Sequence, residues 1–231
     1  MARDPIVILV ATTNHGKARE LRHGLRNAAV RVVTLDDLGI RSEYPETGST
    51  FSANARSKSL HYAALSGLPT LADDSGLEAT ALEGAPGVHS ARYSDPGATP
   101  ARNIRKLLRA IRTVPASERG ARFVCAMALS HEGRVLKATR GAVSGRIIDE
   151  LRGTSGFGYD PVFFYRPFGR TFGELSTAEK EAVSHRGRAL RPMIAFIERA
   201  AKEGRPSLGA GGTARGGGRA PGGRRNKPVR P

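Results

Sequence analysis

The chain of 231 residues contains no tryptophan and only one cysteine, Cys125. A lone thiol excludes an internal disulfide framework, and its setting in the apolar stretch FVCAMAL reads as a small buried hydrophobe rather than a nucleophile. The six histidines show no HxxxH spacing and no cysteine partners, which argues against zinc and leaves a hard, oxygen-bound metal as the alternative. No apolar run approaches the roughly 18 residues of a membrane span, and IVILVA at 6–11 is only strand-sized. The opening MARDP lacks a small-residue cleavage pattern, so a soluble cytoplasmic protein with no membrane association is expected. Acids are also scarce: 21 Asp and Glu stand against 37 Lys and Arg, a net charge of +16.

Much of that imbalance is terminal. Residues 204–231 hold six Arg, one Lys and no acid among Gly and Pro, so they supply seven of the excess positive charges. Such a composition cannot bury enough apolar surface to order itself, so residues 1–203 are expected to form the folded domain and 204–231 a disordered tail. The tail suits weak nucleic-acid or polyanion contact, and equally a solvated extension.

What is present alternates in period. Residues 6–12 are a continuous apolar run, a buried strand, and 14–27 switch to helical spacing with Ala18, Leu21 and Leu25 on one face. A second strand is expected at 30–35, a polar loop at 41–49, and a helix over 51–66 with Thr50 as its cap and Gly67 as its stop. Pro69 then opens a strand. Thr99 and Pro100 begin a basic amphipathic helix to about 112, followed by strands at 121–130, 134–140 and 143–148. The short aromatic strand VFFY and one long helix over 177–203 complete an α/β pattern with a mixed central sheet flanked by helices.

Chemistry concentrates at few places. ATTNHGKARE joins a strand to a helix, where free backbone N–H groups, the helix dipole and Lys17 could hold an anion. LADDSGLEA ends an apolar run in adjacent carboxylates, Asp73 and Asp74; neighbouring strand side chains face opposite ways, so the pair implies two roles. Asn54 and Lys58 share a helix face, which reads either as solvated or as turned to these acids. Glu46 with one aspartate matches what magnesium takes from protein, the rest of its octahedron being water and phosphate. In GFGYDPVFF, Phe157 offers a stacking face and Asp160 an acceptor for ring N–H groups, while Phe163 and Phe164 read as core. EKEAVSHRGRAL sets Lys180, His185 and Arg186 near the start of the last helix.

Together TTNHGK, FSANARSK, LADDSGLEA, GAPGVHSARY, GFGYDP and AEKEAVSHRGRAL resemble, in order and over about 6–197, the inosine triphosphate pyrophosphatase family, in particular its bacterial dITP/XTP pyrophosphatases. The resemblance implies two lobes with a nucleotide cleft between them, a homodimer, and Mg2+-dependent release of pyrophosphate from non-standard purine nucleoside triphosphates. It implies that the segment Thr12, Thr13, Asn14, His15, Gly16 and Lys17 binds nucleotide, with Asn14 and Lys17 on the triphosphate; Thr13 stands where many members carry Gly. Lys58 and Ser75 match phosphate or sugar contacts, and Phe157, Gly158, Tyr159 and Asp160 the base site, completed by Lys180, His185 and Arg186. Glu46 and Asp74 match the metal ligands, and Asp74 also the proton acceptor; the strand alternation then turns Asp73 the other way, toward metal-bound waters or those beyond them. A pyrophosphatase for other modified nucleotides, pyrimidines included, and a nucleic-acid binder driven by the tail are the alternative functions.

Overall fold

A computed structural model describes residues 5–203; the expected disordered tail at 204–231 lies outside the described residues. Seven strands form one mixed sheet in the order β2-β1-β3-β4-β5-β6-β7. Strand β1 (Ile6–Val10) pairs in parallel with β2 (Val30–Thr34) and with the start of β3 (Thr70–Ala79). From β3 onward the pairing is antiparallel, through β4 (Gly120–His131), β5 (Arg134–Ile147), β6 (Phe163–Tyr165) and β7 (Arg170–Thr171). Parallel neighbours need crossover connections, and the helices α1 (His15–Leu25) and α2 (Phe51–Ser66) supply them.

Local chemistry sets the ends of these helices. The Asn14 side chain accepts from the backbone N–H groups of Gly16 and Lys17 to start α1, and Thr50 accepts from Ala53 N to start α2. Gly67 closes α2 at φ 68°, a conformation suited to glycine. Thr99 and Pro100 open α3 (Pro100–Ala110), as the sequence implies.

Helix α2 covers one face of the sheet, where Phe51 and Ala55 meet Val124, Ala126 and Ala128. The opposite face carries α1 and the final helix α5 (His185–Lys202), with Leu21, Leu190 and Met193 against Ile8, Val10 and Met127. A separate core lies further along the long strands: Leu77, Phe123 and Val143 pack with Ile104 and Leu107 of α3 and with Phe163 and Phe172. Each fully buried Leu or Phe here contributes roughly 1.5–3 kcal/mol. The two lobes are therefore two cores strung on the same strands, and the stretch from Asp73 to Gly76 of β3 falls between them.

Two sequence expectations are corrected. The strands expected at 134–140 and 143–148 are one strand, because Gly141 stays in the ladder opposite Cys125. The single helix expected over 177–203 is two, α4 (Thr177–Val183) and α5, broken at Ser184, whose extended backbone (ψ 162°) and hydroxyl, accepting from Gly187 N, cap α5. Strand β7 was not anticipated; at two residues it is too short to show a period. Among the described residues, no helix is long and apolar enough to cross a membrane.

Candidate active site

A cavity of about 380 Å³ opens between the lobes. Its wall takes Asn14, His15, Gly16 and Lys17 from the start of α1, Ser75 and Gly76 from β3, Phe157 to Asp160 from the loop before β6, and Lys180, His185 and Arg186 from α4 and α5. Most of the expected nucleotide-binding residues, drawn from distant parts of the sequence, thus line one space. Thr12 and Thr13 stand beside it: the Thr12 hydroxyl accepts from Asn14 N at 3.2 Å, and Thr13 Oγ1 donates to Glu43 at 3.3 Å. The break at Ser184 turns His185 and Arg186 into the cavity.

The two aspartates do point to opposite faces, but Asp73 is not turned toward water. It is fully buried, and its Oδ2 takes Arg186 Nη2 at 3.2 Å, Ser75 Oγ at 3.3 Å and the Lys17 ammonium at 3.5 Å. Burial alone would raise its pKa; Lys17 and Arg186 outweigh that and hold the carboxyl well below its usual range. Its other oxygen, Oδ1, has no hydrogen-bond partner among the described residues. Asp74 faces α2 instead. Asn54 Nδ2 donates to its Oδ2 at 2.8 Å and the Ser75 backbone N–H to its Oδ1 at 2.8 Å. Burial, with the Glu46 charge adding to it, raises the Asp74 pKa despite Lys17 and that Asn54 bond. An anchored carboxylate with raised basicity is suited to accepting a proton.

Helix α2 therefore does not present a solvated face here. Asn54 is 1% and Lys58 7% exposed, and the Lys58 ammonium pairs with the Glu46 carboxylate. Asn54 also accepts from Gly48 N at 2.7 Å, tying the 41–49 loop to Asp74 through one side-chain amide. Arg92 Nη2 donates to the Glu46 carbonyl at 3.2 Å and pins the same loop from the other side.

Against the start of α1 Phe157 presents its ring, with Lys180 Nζ 4.9 Å and Arg186 Cζ 5.5 Å from its centroid. Gly16 makes room: a Cβ there would stand 2.5 Å from the ring. His185 stacks on Phe123 at 4.7 Å between centroids. Burial and then the charges of Arg186 and Lys180 drive its pKa well below that of free histidine, so the ring is neutral. Asp160 accepts from Phe157 N at 2.7 Å and from Lys180, which shapes the loop; Tyr159 donates to the Ser90 carbonyl at 2.9 Å and anchors it.

One residue was missed by sequence reasoning. Glu20 of α1 takes Lys180 Nζ at 2.6 Å on one oxygen and Arg186 on the other. Burial raises its pKa, but Arg186 and Lys180 more than compensate, and it stays ionised. A continuous chain of charges, Asp160, Lys180, Glu20, Arg186, Asp73 and Lys17, thereby joins the loop of Phe157 to the start of α1 and to β3. The only sequence signal was its place in α1, six residues beyond the Asn14 cap; its partners lie some 160 residues away.

No group of three or more His, Cys, Asp and Glu side chains is arranged to hold a metal among the described residues. The donor chemistry nonetheless fits a magnesium-like ion, because such an ion asks for only one or two carboxylates. Glu46 and Asp74 are close enough for the charge of one to raise the pKa of the other, and added positive charge there would relieve that repulsion.

Known proteins resemble this chain over most of its length. A relative from Syntrophobacter fumaroxidans named dITP/XTP pyrophosphatase is 48% identical over 184 residues, spanning 80% of this chain and 78% of the relative. Another of the same name from Desulfotalea psychrophila is 45% identical over 184 residues, 80% and 82% of the two chains. The solved structure of a HAM1 protein from Coxiella burnetii superposes with a TM-score of 0.76 at 40% identity, covering 84% of this chain and all (100%) of that one. The model of the Ham1 family matches residues 8–196, which takes in every residue of the cavity, and the chain belongs to that family.

Proposed function

We propose that the protein is a nucleoside triphosphate pyrophosphatase that hydrolyses non-standard purine nucleoside triphosphates, the dITP, ITP, XTP and dXTP group, to monophosphate and pyrophosphate. One observation carries the reading: a single cavity gathers the cationic start of α1, the Phe157 ring and the donors of Lys180 and Arg186, with the buried aspartates Asp73 and Asp74 directly before its Ser75 wall. The names of the relatives support the same substrates.

In this reading the α1 N-terminus with Asn14 and Lys17 binds the phosphates, and Asp74 takes the proton of the water that attacks the α-phosphorus. Lys17 carries fixed positive charge to the leaving pyrophosphate. Glu46 and Asp74 are the residues to hold Mg2+, which when bound supplies Lewis-acid charge against the phosphate oxygens. Asp73 serves differently, keeping Lys17 and Arg186 in place. Phe157 stacks on the base, and donors around His185 and Arg186 meet a 6-oxo group. Adenine offers an amino group instead and leaves those donors unpaired, a mismatch that can discriminate by about 10⁴–10⁵. The folded unit at 1–203 carries the activity, working in the cytoplasm as a homodimer, and light scattering of the purified protein tests the dimer.

Hydrolysis of dITP, XTP, dGTP and dATP in ¹⁸O-labelled water tests the chemistry. Label in the monophosphate and turnover confined to dITP and XTP support the reading. Label in pyrophosphate, or equal efficiency on dATP, refutes it.

A further inference from the structure

The cations around the double aspartate are unevenly shared. Asp73 has Lys17 and Arg186, whereas the Lys58 ammonium pairs with Glu46. The carboxylate it holds belongs to the pair assigned above to the metal.

The loop bearing Glu46 does not depend on that contact. Arg92 holds the Glu46 carbonyl at 3.2 Å, and Asn54 holds Gly48 N at 2.7 Å. The Glu46 side chain can therefore change partner while its backbone stays put. Lysine suits the exchange as well: it is a compact charge on a flexible stem that can leave one oxygen for another.

From this geometry we infer that Lys58 is a resident counter-cation, occupying Glu46 while the cavity holds no nucleotide and releasing it when a triphosphate offers phosphate oxygens in exchange. A divalent ion and Lys58 compete for the same carboxylate, so metal alone binds poorly, and metal and triphosphate favour each other's binding by the same factor. The inference rests on Glu46 and Asp74 being the metal ligands, and its test separates the two ideas.

The measurement is Mn2+ affinity of the full-length, nucleotide-free protein, read by electron paramagnetic resonance of the free ion, for wild type and the variants Lys58→Met, Lys58→Gln, Lys58→Arg and Glu46→Gln. Removing the ammonium should tighten Mn2+ binding by about tenfold or more. Lys58→Arg, which keeps a cation, should stay near wild type, and Glu46→Gln should weaken binding. Adding α,β-methylene-dITP should strengthen Mn2+ binding in wild type and do so less in the neutral variants. Melting curves identify any variant that does not fold, and the two neutral replacements back each other up. If Glu46→Gln leaves Mn2+ affinity unchanged, the metal assignment fails and takes the inference with it. If Glu46→Gln weakens binding while the folded neutral variants bind no more tightly than wild type, only the role of Lys58 fails.

Discussion

At the scale of single residues, the site works by giving each buried charge a defined partner. Asp74, held by Asn54 and Ser75, is the proposed proton acceptor, and in that role Asp74→Asn should lower kcat by about 10²–10⁴-fold with the fold intact. Near wild-type turnover in steady-state assays would remove it from that role. Glu20 is the opposite case, a residue that need not touch the substrate. Glu20→Gln leaves Lys180 and Arg186 short of a buried counter-charge and should cost about 3 kcal/mol or more, measured by urea unfolding. His185 sets a pH dependence. Its folded-state pKa lies well below the ordinary value of 6.5, so the unfolded chain takes up a proton that the folded chain refuses. Its share of stability is complete above pH 6.5 and falls as pH drops below it, by up to about 1.4 kcal/mol per pH unit. His185→Phe, which keeps a ring against Phe123, should flatten that slope in unfolding experiments between pH 5 and 7.

At the scale of elements, the junction of α4 and α5 decides whether His185 and Arg186 reach the cavity. Gly187 sits at its tightest point, where a Cβ would run into the Glu181 backbone carbonyl. Alanine is ordinarily the better helix former by about 1 kcal/mol, but a backbone carbonyl cannot step aside, so the clash wins. Gly187→Ala should therefore destabilise by about 1–3 kcal/mol, seen as a lower Tm. This junction also marks the limit of what the sequence discloses. Strands β1, β2 and β3 and helices α1, α2 and α3 were legible, because their apolar periods are bounded by Asn14, Thr50, Gly67 and Thr99. The break at Ser184 was not, since neither Pro nor Gly precedes it and helical spacing continues across it. Gly141 misled in the other direction: it resembles a strand end, yet it keeps its place in the ladder so that the His185 carbonyl and Ala189 can pack against it. The local motifs named most of the cavity wall; Glu20 and the turn of Asp73 toward cations were invisible because both depend on partners more than 100 residues distant.

At the scale of the whole molecule, function and net charge separate. The matched family region ends at 196, and residues 204–231 add positive charge outside the described fold. Removing 204–231 should leave dITP turnover unchanged while reducing any salt-sensitive adhesion to nucleic acid; a large loss of turnover would assign the segment to the enzyme. The body also holds its one thiol out of reach. Cys125 lies fully buried under Asp73, and burial followed by that carboxylate's charge raises its pKa far above that of a free thiol. With no tryptophan anywhere in the chain, the molecule is blank to thiol reagents at its one described, buried cysteine and to light that excites only indoles. A cysteine introduced on the surface becomes the sole accessible thiol among the described residues, and a tryptophan introduced near the cavity mouth the sole indole, excited to the red of tyrosine absorption, so nucleotide entry can be watched without first removing native thiols or tryptophans.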